Sequence, residues 1–159
     1  MSLYLQIPNV TGNVTTQGYQ NWIQLSSITF AASRSITQTV GKVSNRNTSQ
    51  PNIQQINISK PIDNASNALL ENVLNGASLG TLQIHACSTD KQLTPYIKYE
   101  LSDAMVTQYH EITGEDGLPQ EQLTLSFTKL QRTYVPRNSA GQSQSPQIIG
   151  YNLETAELS

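Results

Sequence analysis

Two histidines and a single cysteine are the residues of this chain best suited to nucleophilic or metal chemistry. His85 and Cys87 are two positions apart, so on a β-strand both side chains would point to the same face. The sequence offers them no orienting third group and no helix N-terminus that would lower the pKa of the thiol. Two histidines and one cysteine also fail to match the ligand spacing of a zinc site. We interpret Cys87 as a small buried residue and assign no catalytic or metal-binding residue.

The acidic segment 114–117 and the seven tyrosines are the other candidates for binding chemistry. Glu115 and Asp116 lack the alternating oxygen ligands of a calcium loop, and the nearby Pro119 favours a hairpin turn. Tyrosines can form a platform for a sugar or a base, but in β proteins they more often pack at sheet edges and interfaces. Carboxylates that meet only in space leave no sequence signal, so glycoside hydrolysis stays open. The residue chemistry favours a binding or assembly module without a cofactor, and not an enzyme.

The composition fits one domain, residues 1–159, with a core of ordinary size. Leu, Ile, Val and Phe number 38, while Ser, Thr, Asn and Gln number 63 and charged residues are only 13% of the chain. Nine bases and eleven acids form no cluster, which argues against binding of nucleic acid. Apolar runs are too short to insert in a membrane, and the first residues lack the basic and apolar regions of a cleaved signal peptide.

Apolar and polar residues alternate along most of the chain, which is the pattern of half-buried β-strands. The pattern is clearest in the segments 3–7, 22–30, 56–58, 82–86, 97–109, 123–127 and 148–153. The apolar phase shifts at Leu130, which indicates a bulge or a strand that changes its partner face. Strands of this number, separated by turn residues, predict a sandwich or barrel. We therefore expect a mainly β fold, a small antiparallel β-barrel of about seven to nine strands.

One segment has helical spacing and two have neither pattern. Ala65, Leu69 and Val73 lie four residues apart, and Asp63 and Gly76 are suited to the two ends, so a short α-helix is expected over 63–75. The polar stretch 31–51 is expected to be a long extended loop, and the stretch 136–147 a mobile loop.

The extended loop carries apolar residues that are unusual in a solvated segment. Such a loop either covers its own barrel or packs on another subunit, and we favour the second. Gly41 permits close approach of another backbone or a positive φ that a larger side chain would resist, and Arg46 offers a fork of hydrogen-bond donors. The residues assigned to subunit assembly are Ile36, Val40, Gly41, Lys42, Val43, Arg46 and Pro51.

The order of several short motifs resembles the Hcp (haemolysin-coregulated protein) family, the tube subunits of bacterial type VI secretion systems. In chain order the motifs are Gly-Tyr-x-x-Trp-Ile at 18–23, Val-Gly-Lys-Val-Ser-Asn-Arg at 40–46, Ile-Asn-Ile-Ser-Lys-Pro-Ile-Asp at 56–63, Tyr-Glu-Leu-Ser-Asp at 99–103, Pro-x-Glu at 119–121 with Leu-Ser-Phe-Thr-Lys-Leu at 125–130, and Gly-Tyr-Asn-Leu at 150–153. Each motif alone is weak, but six in this order are specific.

The resemblance implies a structural subunit without a cofactor. Six copies would close into a ring, and rings would stack into an inner tube that is propelled outward with effector proteins in its lumen. Sheath, spike and baseplate proteins would be partners, and the segment 40–46 would reach adjoining subunits. The subunit would be cytoplasmic before assembly and then leave the cell through the type VI system without a cleaved signal peptide. The alternative is a monomeric secreted β-sandwich that binds carbohydrate or protein.

Overall fold

The alternating segments form strands that bury the side the sequence predicts. The structure is a computed structural model that describes residues 1–37, 40–41, 47–90 and 93–159. Its core collects aliphatic side chains from many strands, among them Leu5, Ile23, Ile56, Ile84, Leu101 and Leu125, all of which are fully buried or nearly so. Each such side chain contributes about 1.5–3 kcal/mol to folding, so the alternation determines which face of each strand turns inward.

Twelve strands and one α-helix are seen in the described part of the chain. They are β1 Ser2–Gln6, β2 Ile23–Leu25, β3 Ser27–Thr29, β4 Ala32–Thr37, β5 Asn47–Ile53, β6 Ile56–Pro61, α1 Ser66–Asn75, β7 Gly80–Cys87, β8 Pro95–Ile112, β9 Gln120–Ser126, β10 Lys129–Tyr134, β11 Gln147–Asn152 and β12 Glu157–Leu158. In the described residues no helix is long and apolar enough to cross a membrane.

The strand pairings form one continuous path from β2 to β3. β1 pairs with β2 and β7, β7 with β8, β8 with β9, β9 with β6, and β6 with β3, and all of these pairs are antiparallel. Only Ser26 separates β2 from β3, and its N–H donates to the Ser59 carbonyl of β6 at 2.8 Å. The predicted mainly β, antiparallel fold is confirmed. The described residues form twelve strands where about seven to nine were predicted, and no strand pairing between β2 and β3 closes the barrel.

The long strand β8 belongs to two parts of the sheet. Its first half lies between β7 and β10, and its second half pairs with β9. The two halves meet at Asp103, whose φ of 50° is left-handed and whose carboxylate accepts a hydrogen bond from the Ser78 hydroxyl. The phase shift predicted at Leu130 is the step from β9 to β10, which pairs with the other half of β8. β10, β11 and β12 extend the sheet outward from the first half of β8.

The helix α1 packs on β8 and begins three residues later than predicted. Asp63 forms a turn instead of a helical cap, because its carboxylate accepts the N–H of Ala65 and its own N–H donates to the Ser66 hydroxyl. The other end is as predicted, with Gly76 left-handed at φ 66°. Buried Asn72 joins the helix to the sheet, since its side-chain oxygen accepts the N–H of Val106 at 2.9 Å.

The segment predicted as a long extended loop is extended, and most of its described part is paired. β4 and β5 form a two-stranded antiparallel hairpin, which we call the arm (residues 32–53). Ala32 lies opposite Ile53 and Arg34 opposite Pro51, and a bulge follows Arg34. Every side chain of β4 is exposed. In the stretch 136–147, Asn138 holds a turn by accepting two backbone N–H groups; its mobility stays a prediction.

A buried ion pair occupies two core positions at one end of β6. Lys60 and Glu121 lie opposite each other on β6 and β9, and both side chains are fully buried. The Lys60 ammonium donates to a carboxylate oxygen of Glu121, to Asp63 at 2.8 Å and to the Pro61 carbonyl at 3.0 Å. The other oxygen of Glu121 accepts from the Tyr109 hydroxyl at 2.6 Å. Burial, and then the hydrogen bond to Glu121, raise the pKa of Tyr109 well above its ordinary value.

Removal of one member of this pair should destabilise the fold strongly. Lys60→Met leaves the Glu121 carboxylate buried without its cation, so we expect a loss of about 3–5 kcal/mol in the free energy of unfolding measured in urea. The double variant Lys60→Met/Glu121→Leu should recover part of that loss, because the fully buried Glu121 carboxylate is removed together with its cation. Arg137→Met is the control: it removes the more exposed ion pair with Asp90 and should cost less than about 1 kcal/mol. If Lys60→Met lowers the free energy of unfolding as little as the control does, the Lys60–Glu121 pair is not a buried ion pair on which the fold depends.

Candidate assembly surfaces

The arm is the first surface suited to binding another protein. Of the residues assigned to assembly, Ile36 is 53% exposed and Val40 is 97% exposed, while Pro51 is half-buried at the base of the arm. Lys42, Val43 and Arg46 lie outside the described residues. Isolated two-stranded hairpins are at best marginally stable in water, so the arm is expected to need a further contact.

Gly41 supports one of the two reasons given for a glycine in the arm. Its φ of 86° is left-handed, a conformation that side chains with a Cβ rarely adopt. Apart from its two chain neighbours, no atom of the described residues lies within 4 Å of a Cβ built at Gly41. The turn conformation therefore favours glycine here, whereas close approach of another backbone remains a prediction.

The second surface is the outer side of β3, β6, β9 and the second half of β8, which we call the neutral polar face. It forms a shallow depression of about 330 Å³ lined by hydroxyl and amide groups and one histidine, chiefly Ser27, Thr29, Asn57, Gln108, His110 and Thr124. Some of these groups bond to one another across strands: Ser27 to Ser59 at 2.5 Å, and Thr124 to Asn57 at 2.8 Å. None of the lining residues is Asp, Glu, Lys or Arg, so this face presents hydrogen-bonding groups without a strong electrostatic field.

The residues considered for nucleophilic chemistry form a third, buried group on the outer side of β1 and β7. Tyr19 stacks on Tyr4 at 4.6 Å between ring centroids and meets Trp22 edge-on at 4.8 Å. The thiol of Cys87 donates to the Tyr19 hydroxyl, which lies 3.1 Å from Nδ1 of His85. These aromatic rings pack on one another, so this cluster does not form an open sugar platform.

The electrostatics of this cluster do not suit catalysis. Burial raises the pKa of the Cys87 thiol, and burial with the hydrogen bond to Cys87 raises that of Tyr19. Burial, and to a lesser extent the charge of Lys98, lower the pKa of His85 to about 4. A nucleophilic cysteine needs the opposite, a stabilised thiolate beside a basic group. Among the described residues no group of three or more His, Cys, Asp or Glu side chains is placed to hold a metal ion.

A sequence profile described as "Type VI secretion system effector, Hcp" matches residues 4–134. Comparison with curated proteins gives no match. Several solved structures share the fold over nearly their full length.

The solved structures include "Structure of a type six secretion system protein", with a TM-score of 0.92, 22% identity and 99% coverage of both chains. The "crystal structure of Hcp1 from Salmonella typhimurium" has a TM-score of 0.78 and 19% identity over 99% of this chain and 98% of the other. The "Crystal structure of a type VI secretion system effector from Yersinia pestis" has a TM-score of 0.74 and 19% identity over 94% and 98%. At these identities the likeness concerns the fold.

The buried position of His85 predicts a pH dependence of stability. An unfolded histidine titrates near 6.5 and the folded His85 near 4, so the unfolded state binds more protons between these values. The free energy of unfolding should therefore decrease as pH falls from 6.5 to 4, by about 1–2 kcal/mol after allowance for partial exposure. Urea unfolding across this range measures it.

Two matched histidine variants test whether His85 causes this decrease in the free energy of unfolding. His85→Gln cannot titrate and should show a flatter stability profile between pH 6.5 and 4 than the parent chain. His110→Gln removes the exposed histidine of the neutral polar face and should leave the parent's decrease intact. If the profile flattens in His110→Gln and not in His85→Gln, the assignment to the buried cluster is wrong.

Proposed function

We propose that this chain, which belongs to the Hcp family of type VI secretion proteins, is a structural subunit that assembles as a hexameric ring in the inner tube of the secretion machine. Rings stack into the tube, which is propelled outward and carries effector proteins in its lumen. The observation that carries the proposal is the exposed arm, because a two-stranded hairpin with an exposed apolar tip gains little from its own barrel. The family is one of structural secretion proteins, and the chain is assigned no enzymatic role.

The arm supports assembly into a ring through contacts between unlike surfaces. Val40 at the tip is almost fully exposed, and burial against a neighbour would remove its side chain from water. A contact between two different surfaces of identical subunits closes into a ring when its rotation closes, and a second contact along the axis stacks the rings. We assign the arm, with Ile36, Val40, Gly41, Lys42, Val43, Arg46 and Pro51, to these subunit contacts.

The neutral polar face supports the role of carrier. A lumen wall must stay wetted and must not hold its cargo so firmly that release fails. Hydroxyl and amide groups exchange their hydrogen bonds with water at little net cost, and a face without Asp, Glu, Lys or Arg does not select cargo by charge. We propose that this face lines the lumen.

The other partners follow from the same assignment. Sheath proteins would surround the tube, spike proteins would cap it, and baseplate proteins would start its assembly. Before assembly the subunit would be cytoplasmic, and with each discharge it would leave the cell by the type VI route without a cleaved signal peptide. The alternative is a monomeric module that binds carbohydrate or protein. It is less well supported, because Tyr4, Tyr19 and Trp22 pack on one another and do not form an open aromatic platform.

Val40→Asp should weaken ring assembly with little effect on the fold. A carboxylate at the tip would have to be desolvated in any subunit contact, whereas in the free subunit it faces water. Size-exclusion chromatography with light scattering should give a ring of about six times 17.5 kDa for the parent and a smaller species for the variant. Arg46→Ala should act in the same direction. Thermal unfolding of the monomeric variants should change little.

Leu74→Asp is the matched control, because Leu74 is also apolar and 78% exposed, but lies on α1. It should assemble like the parent if the arm is the contact surface. A parent chain that stays monomeric at tens of micromolar contradicts the tube function and favours the monomeric alternative. If Val40→Asp and Arg46→Ala form rings as well as the parent does, the role of the arm is contradicted but the tube function is not.

A further inference from the structure

An apolar groove lies at the base of the arm. It has a volume of about 210 Å³ and is lined mostly by apolar residues. One wall is the arm, with Ala32, Pro51 and Ile53, together with Phe30 just before it. The other wall is the face of β10, β11 and β12, with Leu130, Ile149 and Leu158. Ile149 and Leu158 are 51% and 72% exposed. The chain thus leaves a concave apolar surface in contact with water, which is unfavourable unless another group covers it.

Two arginines border this groove. Arg132 lines it and lies opposite Ile149 in the β10–β11 pair. Arg34 lies opposite Pro51 in the arm, and opposed residues of an antiparallel pair point to the same side, so Arg34 projects from the groove-facing wall. Neither arginine forms an ion pair within the described part of the chain. The arm as a whole holds three of the nine bases and none of the eleven acids.

The turn between β8 and β9, residues 113–119, has the complementary chemistry, and we call it the acidic turn. Leu118 is 82% exposed, and Ile112, just before the turn, is 52% exposed. Glu115 and Asp116 are exposed beside Leu118 and make no ion pair among the residues described. An apolar side chain next to two exposed carboxylates therefore projects from the end of the β8–β9 hairpin.

The groove and the acidic turn lie at opposite ends of β6 within one chain. Ile53, in the groove, lies three residues before the start of β6 at Ile56. Pro61, the last residue of β6, lies opposite Gln120, just after the acidic turn. Six residues of extended strand span about 20 Å. Because of this separation, the acidic turn of a chain cannot reach the groove of the same chain.

We propose that the acidic turn of one copy binds in the apolar groove of a second copy. Leu118 enters the groove against Ile53 and Ile149, while Glu115 and Asp116 face Arg34 and Arg132 on its border. Because the two surfaces differ and lie at opposite ends of the subunit, each copy has one of each to offer, and the contact propagates from copy to copy. This inference rests on the proposed assembly function and identifies two of the surfaces through which copies meet.

Site-specific cross-linking of co-expressed full-length chains tests the contact. One chain carries Leu118→Cys and the other Ile149→Cys, and the assembled protein is treated with a short bismaleimide. We expect a cross-linked pair that contains one chain of each kind, and no pair when either variant is expressed alone. Leu74→Cys co-expressed with Ile149→Cys is the control, because Leu74 is 78% exposed but lies on α1. The native Cys87 is fully buried and should not react.

Charge exchange provides a second measurement that does not depend on the cysteines. Asp116→Lys or Arg132→Asp places like charges at the contact and should weaken assembly about tenfold or more, as judged by light scattering over a dilution series. The double variant Asp116→Lys/Arg132→Asp restores opposite charges and should regain most of the loss.

The outcomes separate this inference from the proposed function. Rings of the expected mass without a mixed cross-link and without rescue by charge exchange would overturn the contact and leave the tube function standing. Equal cross-linking in the Leu74 control would overturn it as well, because contact would then be unspecific. A parent chain that never assembles would overturn both.

Discussion

The architecture depends on one buried charge pair. Lys60 and Glu121 take core-facing positions on β6 and β9, where two aliphatic residues would satisfy the alternation of the strands equally well. Their bonds to Asp63 and Tyr109 join the turn before α1 and the second half of β8 to the same point. The backbone bond from Ile62 to the Pro119 carbonyl then holds the end of the acidic turn beside this network. A buried ion pair stabilises little in net terms, but it favours the one register in which all these groups are paired.

Strand-period alternation predicted the mainly β fold because most strands bury one face. The same argument failed where no face is buried, as in β4, whose six side chains are all exposed, so the arm gave no strand signal and was predicted as a loop. The buried pair was missed for a different reason: lysine and glutamate are ordinarily solvated. Continuing the phase of Ile56 and Ile58 by one more step places Lys60 inside, and that signal could have found it.

For the residues proposed to mediate assembly, exposure can be inferred from the sequence, but contact with another subunit cannot. Ile36 and Val40 are exposed on the arm, whereas Lys42, Val43 and Arg46 lie outside the described residues. The groove at the base of the arm gathers side chains from strands far apart in sequence, and no spacing rule brings Ile53 to Leu158. The ordered motifs were the stronger signal for the family, and two of them contain Lys60 and Glu121, the residues of the buried pair.

The burial of the only cysteine has a consequence for the proposed passage of this protein from the cell interior to the outside. Reduced thiols are the rule in the first environment and disulfides in the second. An exposed Cys87 would be oxidised or would link copies to one another after export, since oxidation follows thiolate character and access. Here the side chain is fully buried and its thiol is held in the protonated form against Tyr19. The same covalent chain can therefore exist in reducing and oxidising surroundings without a change in its chemistry.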